Sequence, residues 1–116
     1  MAFDTALLDH VLAERHVCWE QERQQLLICL RQLLNKRAAA FGVEVAYIFG
    51  SLIQPNRFTT RSDIDVAVES VAPGQFIPFK VLLETTLKRD VDLILLEKCH
   101  FADDIRREGE LWIRSN

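Results

Sequence analysis

Two short apolar runs, Val45–Phe49 and Ile64–Val68, stand on either side of one polar loop, and this arrangement limits what the chain can become. The first run breaks off at Gly50-Ser51, and the second opens with Asp63 and Asp65 around Ile64. Residues two apart on an extended strand point to the same face, so the two carboxylates project together while Ile64 and Val66 point the other way. The pattern calls for strand, loop, strand, with acid gathered at one strand's start. Paired carboxylates beside a small-residue turn suit magnesium, a hard cation that takes oxygen ligands and shares its octahedral shell with substrate phosphates. A nucleoside triphosphate is the substrate such a pair implies.

At 116 residues the chain has room for one domain, residues 1–116, with a real core but no second substrate-binding unit. A bulky second substrate would need another chain. The net charge of −3 and the pI near 5.6 disfavour a protein that grips a nucleic-acid backbone, which requires clustered Lys and Arg. No apolar run approaches the roughly 20 residues of a membrane span. The opening MAFDTALLDH lacks the basic start and apolar centre of a secretory signal, so a cytoplasmic location is the expectation. Cys18, Cys29 and Cys99 are odd in number and show no C-x-x-C spacing, which reads as reduced thiols. His10, His16 and His100 are scattered without metal-ligand spacing.

Residues 4–41 contain neither proline nor glycine, and Leu8, Val11, Leu12, Trp19, Leu26, Leu30, Leu33 and Leu34 recur at helical spacing. The expectation is one long helix or two in tandem, capped by Asp4 or Thr5 and stopped at Gly42. Its stripe thins where Glu14, Arg15, Glu20, Glu22 and Arg23 crowd together, so only the second half should face the core. The first half then reads either as a solvated extension or, given Trp19 and the group Leu7, Leu8, Val11 and Leu12, as a docking surface for a partner helix, which is the expectation here. After Pro73-Gly74, the residues Phe79, Leu82, Leu83 and Leu87 predict a helix with Pro78 in its first turn. Residues 91–96, VDLILL, read as a buried strand, and Asp92 within them then needs a cation or salt bridge to offset its desolvation. Ile105, Trp112 and Ile113 predict a closing helix, with a packing reason for Gly109 inside it. The order is helix, strand, loop, strand, helix, strand, helix, an α+β or α/β arrangement.

A D-x-D alone recurs by chance in chains of this size, but here it opens a strand, follows a strand closed by Gly50-Ser51, and precedes a third strand aspartate. Gly50 lets the backbone approach a phosphate closely, and successive N–H groups with the Ser51 hydroxyl can donate to its oxygens. On these residues, with Tyr47-Ile48-Phe49 before the turn, Ser62 before Asp63, and Val91-Asp92-Leu93, the chain resembles the minimal nucleotidyltransferases of the DNA polymerase beta superfamily. Arg107-Glu108-Gly109 within residues 105–112 is similar to part of that family's final helix.

The resemblance implies an α+β nucleotidyltransferase fold: a small mixed sheet with helices mainly on one face, a catalytic core over residues 42–116 and an N-terminal helical segment over 1–41. By this similarity Gly50 and Ser51 hold the triphosphate of ATP or another NTP. Asp63 and Asp65 ligate Mg2+, and Asp92 is both ligand and base for an attacking hydroxyl. Two ions about 3.5 to 4 Å apart can stabilise the attacking and leaving oxygens of an in-line displacement, which agrees with three carboxylates. Many relatives follow Gly-Ser with small residues and an arginine, whereas this chain has Leu52-Ile53-Gln54-Pro55, leaving Arg57 or Arg61 to supply the basic group. Small single-domain members resemble antitoxins paired with a helical HEPN-domain ribonuclease toxin, some of which they modify with AMP. Three functions fit: transfer to a partner protein, neutralisation by contact alone, and nucleotidyl transfer to a small molecule. The last would need a homo-oligomer to enclose its acceptor.

Overall fold

A computed structural model describes residues 5–115. Helix α1 is Thr5–Arg37, a single helix of 33 residues, followed by a 3-10 turn, Ala38–Phe41, and by Gly42 in the left-handed region. The cap expected from Asp4 or Thr5 lies outside the described residues and side chains. Among the described side chains of α1, those that meet the core lie in its second half: Leu27, Leu30, Leu33 and Leu34 are buried, whereas Ala13, Glu14, Arg15, Val17 and Cys18 are exposed. At about 1.5 Å per residue the helix runs to roughly 50 Å. It therefore overhangs the sheet, and the molecule measures 64 × 27 × 24 Å. Because Leu7, His10, Ala13, Glu14 and Arg15 are all exposed, a chain lacking residues 1–16 should fold with a melting temperature within a few degrees of the full chain. Circular dichroism melting checks this, and an unfolded shortened chain would contradict it.

The sheet has four strands: β1 Val45–Phe49, β2 Ile64–Val68, β3 Val91–Leu95 and β4 Glu110–Ile113, in the order β3-β2-β1-β4. β1 pairs antiparallel with β2 and β4, and β2 pairs parallel with β3 through helix α2, Phe76–Leu87. It is the mixed sheet of an α+β fold. Ala46, Ile48, Ile64, Val66, Val68, Val91 and Leu93 alternate onto one face, where α1 and α2 cover them with Leu30, Leu34, Phe79 and Leu83. Each of these large apolar side chains contributes about 1.5–3 kcal/mol by burial. On the other face a short helix, α3 (Ala102–Glu108), packs through Ala102 and Ile105 in a smaller cluster with Ala67 and Leu96, against which Tyr47, Phe49 and Ile94 are partly buried. Arg106 pins α3 to the end of β2 by donating to Glu69 at 2.7 Å. Asp92, on that face at the edge strand, is exposed.

The expected closing helix is shorter than its spacing suggests. α3 stops at Glu108, and residues 110–113 form β4 along the free edge of β1. Trp112 points to the α1 side and donates from Nε1 to Asn35 Oδ1 at 2.7 Å. Leu111 and Ile113 point the other way and are exposed, which is strand alternation. Gly109 makes this turn from helix to strand possible, because a Cβ there would stand 2.7 Å from the Ile105 carbonyl oxygen and 3.3 Å from Tyr47 Cβ. The packing reason for that glycine is a close helix–strand approach. Among the described residues no helix is long and apolar enough to cross a membrane.

Candidate active site

The carboxylates meet at the end of the sheet where β1 stops and β2 and β3 begin. Asp65 and Asp92 are register partners in the parallel pair β2–β3, so both project from the face opposite α1 and α2. Asp63 precedes β2 by one residue, and its charge reaches Asp65. Asp92 is exposed, which corrects the expectation of a buried carboxylate: β3 is an edge strand, and only its alternate residues Val91 and Leu93 enter the core. The partly buried carboxylate is Asp65. Burial first, then the charges of Asp92 and Asp63, push its pKa up from 3.8 to about 6.

This shift has a defined sign. Asp65 binds its proton more tightly in the folded chain, so its stabilisation is complete below about pH 3.8 and is lost as pH rises through about 6. Asp65→Asn should therefore raise the melting temperature of the metal-free protein at pH 7.5 and leave it nearly unchanged at pH 3.5. An equal change at both pH values would contradict the crowding of the three acids.

Gly50 is shaped by Asp65. It has φ +75 in the turn Gly50–Ile53, and a Cβ on it would lie 2.1 Å from Asp65 Oδ2. Only glycine accommodates both the left-handed backbone and the carboxylate against it. Ser51 follows in the same turn, half-buried, and Leu52 anchors the turn in the core. Two clefts flank the acids. One, of ≈ 640 Å³, is lined by Phe49, Gly50, Ile53 and Gln54 and by Phe101, Asp104, Ile105 and Glu108. The second, of ≈ 450 Å³, is polar and runs along Thr60, Arg61, Ser62 and Asp63 to Lys88, Arg89 and Asp90.

The loop between β1 and β2 is held by Glu20 and Arg23, two of the charged residues where the apolar stripe of α1 thins. Arg23, on α1, is buried and donates from Nη1 to the Leu52 carbonyl at 2.9 Å while its Nε donates to Glu20 at 3.0 Å. Glu20 also accepts from the backbone N–H of Asn56 at 3.0 Å. The Arg23 hydrogen bonds and then the Asn56 N–H hold the Glu20 pKa down at about 2. The signal was present as an (i, i+3) Glu-Arg pair where the apolar stripe narrows. Further along, Arg89 donates to Thr59 O at 2.9 Å and to Glu22 at 2.6 Å, and it lies 4.4 Å over the Phe58 ring. Ser62 Oγ accepts from the Thr59 N–H at 2.9 Å, closing the turn before Asp63. Arg23→Met leaves the buried Leu52 carbonyl without its donor and should cost about 1–3 kcal/mol. Urea unfolding measures it, together with faster proteolysis of residues 54–57; a neutral substitution would contradict the brace.

Asp63, Asp65 and Asp92 present only oxygen donors, and Asp65 is crowded by like charge, so the set fits a hard divalent cation whose charge would relieve that repulsion. The three are not already closed around one point: among the described residues no group of three His, Cys, Asp or Glu side chains is set to hold a metal. A cation here would draw the carboxylates together on binding. A family model described as "Polymerase beta, Nucleotidyltransferase" matches residues 30–116, which include the whole sheet, both clefts and all three aspartates. No curated protein and no solved structure matches the chain significantly.

Proposed function

The chain belongs to the polymerase beta nucleotidyltransferase family, and from that premise we propose that it transfers AMP from magnesium ATP to a hydroxyl of a partner protein, as the antitoxin of a HEPN-domain toxin. The observation that carries the reading is the side-by-side register of Asp65 and Asp92 on one open face, with Asp63 beside them and Gly50 pressed against Asp65. Bound Mg2+ supplies charge neutralisation at the phosphates. The Gly50-Ser51 turn would present N–H groups and a hydroxyl to the phosphate oxygens, and the ≈ 640 Å³ cleft beside Gly50 offers Phe49, Ile53 and Phe101 to the nucleoside. Asp92, exposed on the edge strand, would take the proton of the acceptor hydroxyl as its oxygen bonds to the α-phosphorus. The bond from that phosphorus to the β-phosphate breaks and pyrophosphate leaves.

Two features favour a protein as acceptor. β3 is an edge strand, so Asp92 is open to a large partner, and α1 extends beyond the sheet with Val17 exposed, giving a partner a surface to grip. The contact-only alternative would use the same surface without chemistry. Co-expression with the neighbouring genes and mass spectrometry of whatever co-purifies separates them. A helical partner carrying the mass of one or more nucleoside monophosphates, lost with Asp63→Ala, is expected; an unmodified partner still neutralised by Asp63→Ala would leave a binding antitoxin.

A further inference from the structure

We infer that the free edge of β4 is a self-association surface, on which a second copy of this chain adds its own β4 antiparallel and joins the two four-stranded sheets into one. The inference is independent of the nucleotide-transfer reading, because β4 and the acid-bearing β3 lie at opposite edges of the sheet.

The backbone carries the first part of the argument. Arg114 N–H donates to Glu44 O at 2.8 Å and Glu69 N–H donates to Val45 O at 3.1 Å, so successive residues of β1 bond alternately to β4 and to β2. Bonded and non-bonded pairs alternate along an antiparallel ladder. Glu110 and Trp112 therefore bond to β1, while the N–H and C=O groups of Leu111 and Ile113 point to the outer edge. Among the described residues no strand pairs with that edge. Proline or a bulge would blunt it, and the continuous register of Glu110–Ile113 against β1 has neither.

The side chains say what fits there. Leu111 and Ile113 are 51% and 60% exposed, two large apolar groups on one face of the strand. When a second β4 pairs about a two-fold axis at Trp112, Leu111 stands opposite Ile113 of the other copy and Glu110 stands opposite Arg114 of the other copy. One pair is apolar and the other is of opposite charge, and both are favourable across strands. The same register makes Leu111 and Ile113 a bonded pair that exchanges both N–H···O bonds. One arrangement thus satisfies the outward backbone groups and the side chains together. A strand of unrelated sequence would have to bring this order of charge and apolar groups, whereas β4 brings it to itself.

That two-fold stands normal to the sheet, so both α1 helices lie on one face. Arg31 and Asn35 reach β4 at Glu110 and Trp112 and mark the flank of α1 nearest the edge. Ile28, within about 60° of both around the helix, is exposed on that flank and faces its copy. Asp92 stays open at the far edge of each copy.

Sedimentation velocity of the full chain from about 5 to 500 μM tests this, with amide exchange read by NMR at both ends of the range. The wild type should pass from monomer to dimer, and the Leu111 and Ile113 amides should exchange about fivefold more slowly, or slower still, at the high concentration. Leu111→Lys with Ile113→Lys sets like charges opposite each other and should weaken the dimer by about tenfold or more, with an unchanged melt because both side chains are exposed. Leu111→Lys with Ile113→Glu sets opposite charges across the same register and should dimerise more tightly than that first variant. A wild type monomeric throughout, or a dimer that the first variant does not weaken, overturns the inference. A second variant no tighter than the first overturns it too, since Leu111 would then not face Ile113. A monomeric wild type whose binding to a co-expressed protein is lost in the first variant gives the edge to another chain's strand and equally overturns it. Each of these failures leaves the transfer reading standing, because nucleotide binding in the same samples depends on the acids away from this edge.

Discussion

Gly50→Ala should give a folded protein that has lost magnesium-dependent nucleotide binding by about 10- to 100-fold, the usual effect of disturbing the shell around a metal site. The added methyl would fall 2.1 Å from Asp65 Oδ2, so the carboxylate has to rotate away from its position beside Asp92. The left-handed backbone at this residue adds a cost of about 1 kcal/mol, which for a chain of this size lowers the melting temperature by about 5 °C. Calorimetric titration with Mg2+ and ATP, alongside a melt, separates the effects. Full binding in the alanine variant would mean that the Asp65 carboxylate is not where the chemistry needs it.

Asp92→Asn should suppress transfer by about 10²- to 10⁴-fold, the range expected on removing a general base. Folding should be untouched, because Asp92 is exposed and surface substitutions usually lie within about 0.5 kcal/mol of neutral. Removing one of the charges that crowd Asp65 should if anything raise the metal-free melting temperature above pH 6. Partner binding should persist. Single-turnover transfer measured across pH is the check: a variant that keeps its rate would move the base elsewhere.

The parts of this molecule set by local rules were readable from its residues. Alternation placed Ile64 and Val66 on one face and Asp65 on the other, and the proline- and glycine-free stretch predicted α1, although the α-helix ends at Arg37 and Gly42 stops the 3-10 turn that follows it. What was not readable depended on contacts distant in sequence. Nothing local tells Trp112 and Ile113 to pair with β1 instead of continuing α3, since four residues fit either period; the deciding contact is the approach of Gly109 to Ile105 and Tyr47. VDLILL reads as a buried run because apolar residues dominate it, yet the sheet order leaves it at an edge and Asp92 in the open. Arg23 stood only as one of the charges that thin the stripe, because its partner, the Leu52 carbonyl, lies 29 residues away. The three aspartates were legible as a pattern; their crowding, and the two clefts beside them, required the folded chain.

The central claim is that this site moves a nucleoside monophosphate, and ATP labelled at either its α- or its γ-phosphate tests that most directly. The purified chain is incubated with Mg2+ and whatever protein is recovered with it on co-expression with the neighbouring genes. The account predicts label on the partner from α-labelled ATP alone, an equal amount of pyrophosphate released, and neither product with Asp63→Ala and Asp65→Ala together. Label transferred from the γ-phosphate, or α-label transferred equally by the double variant, would contradict it.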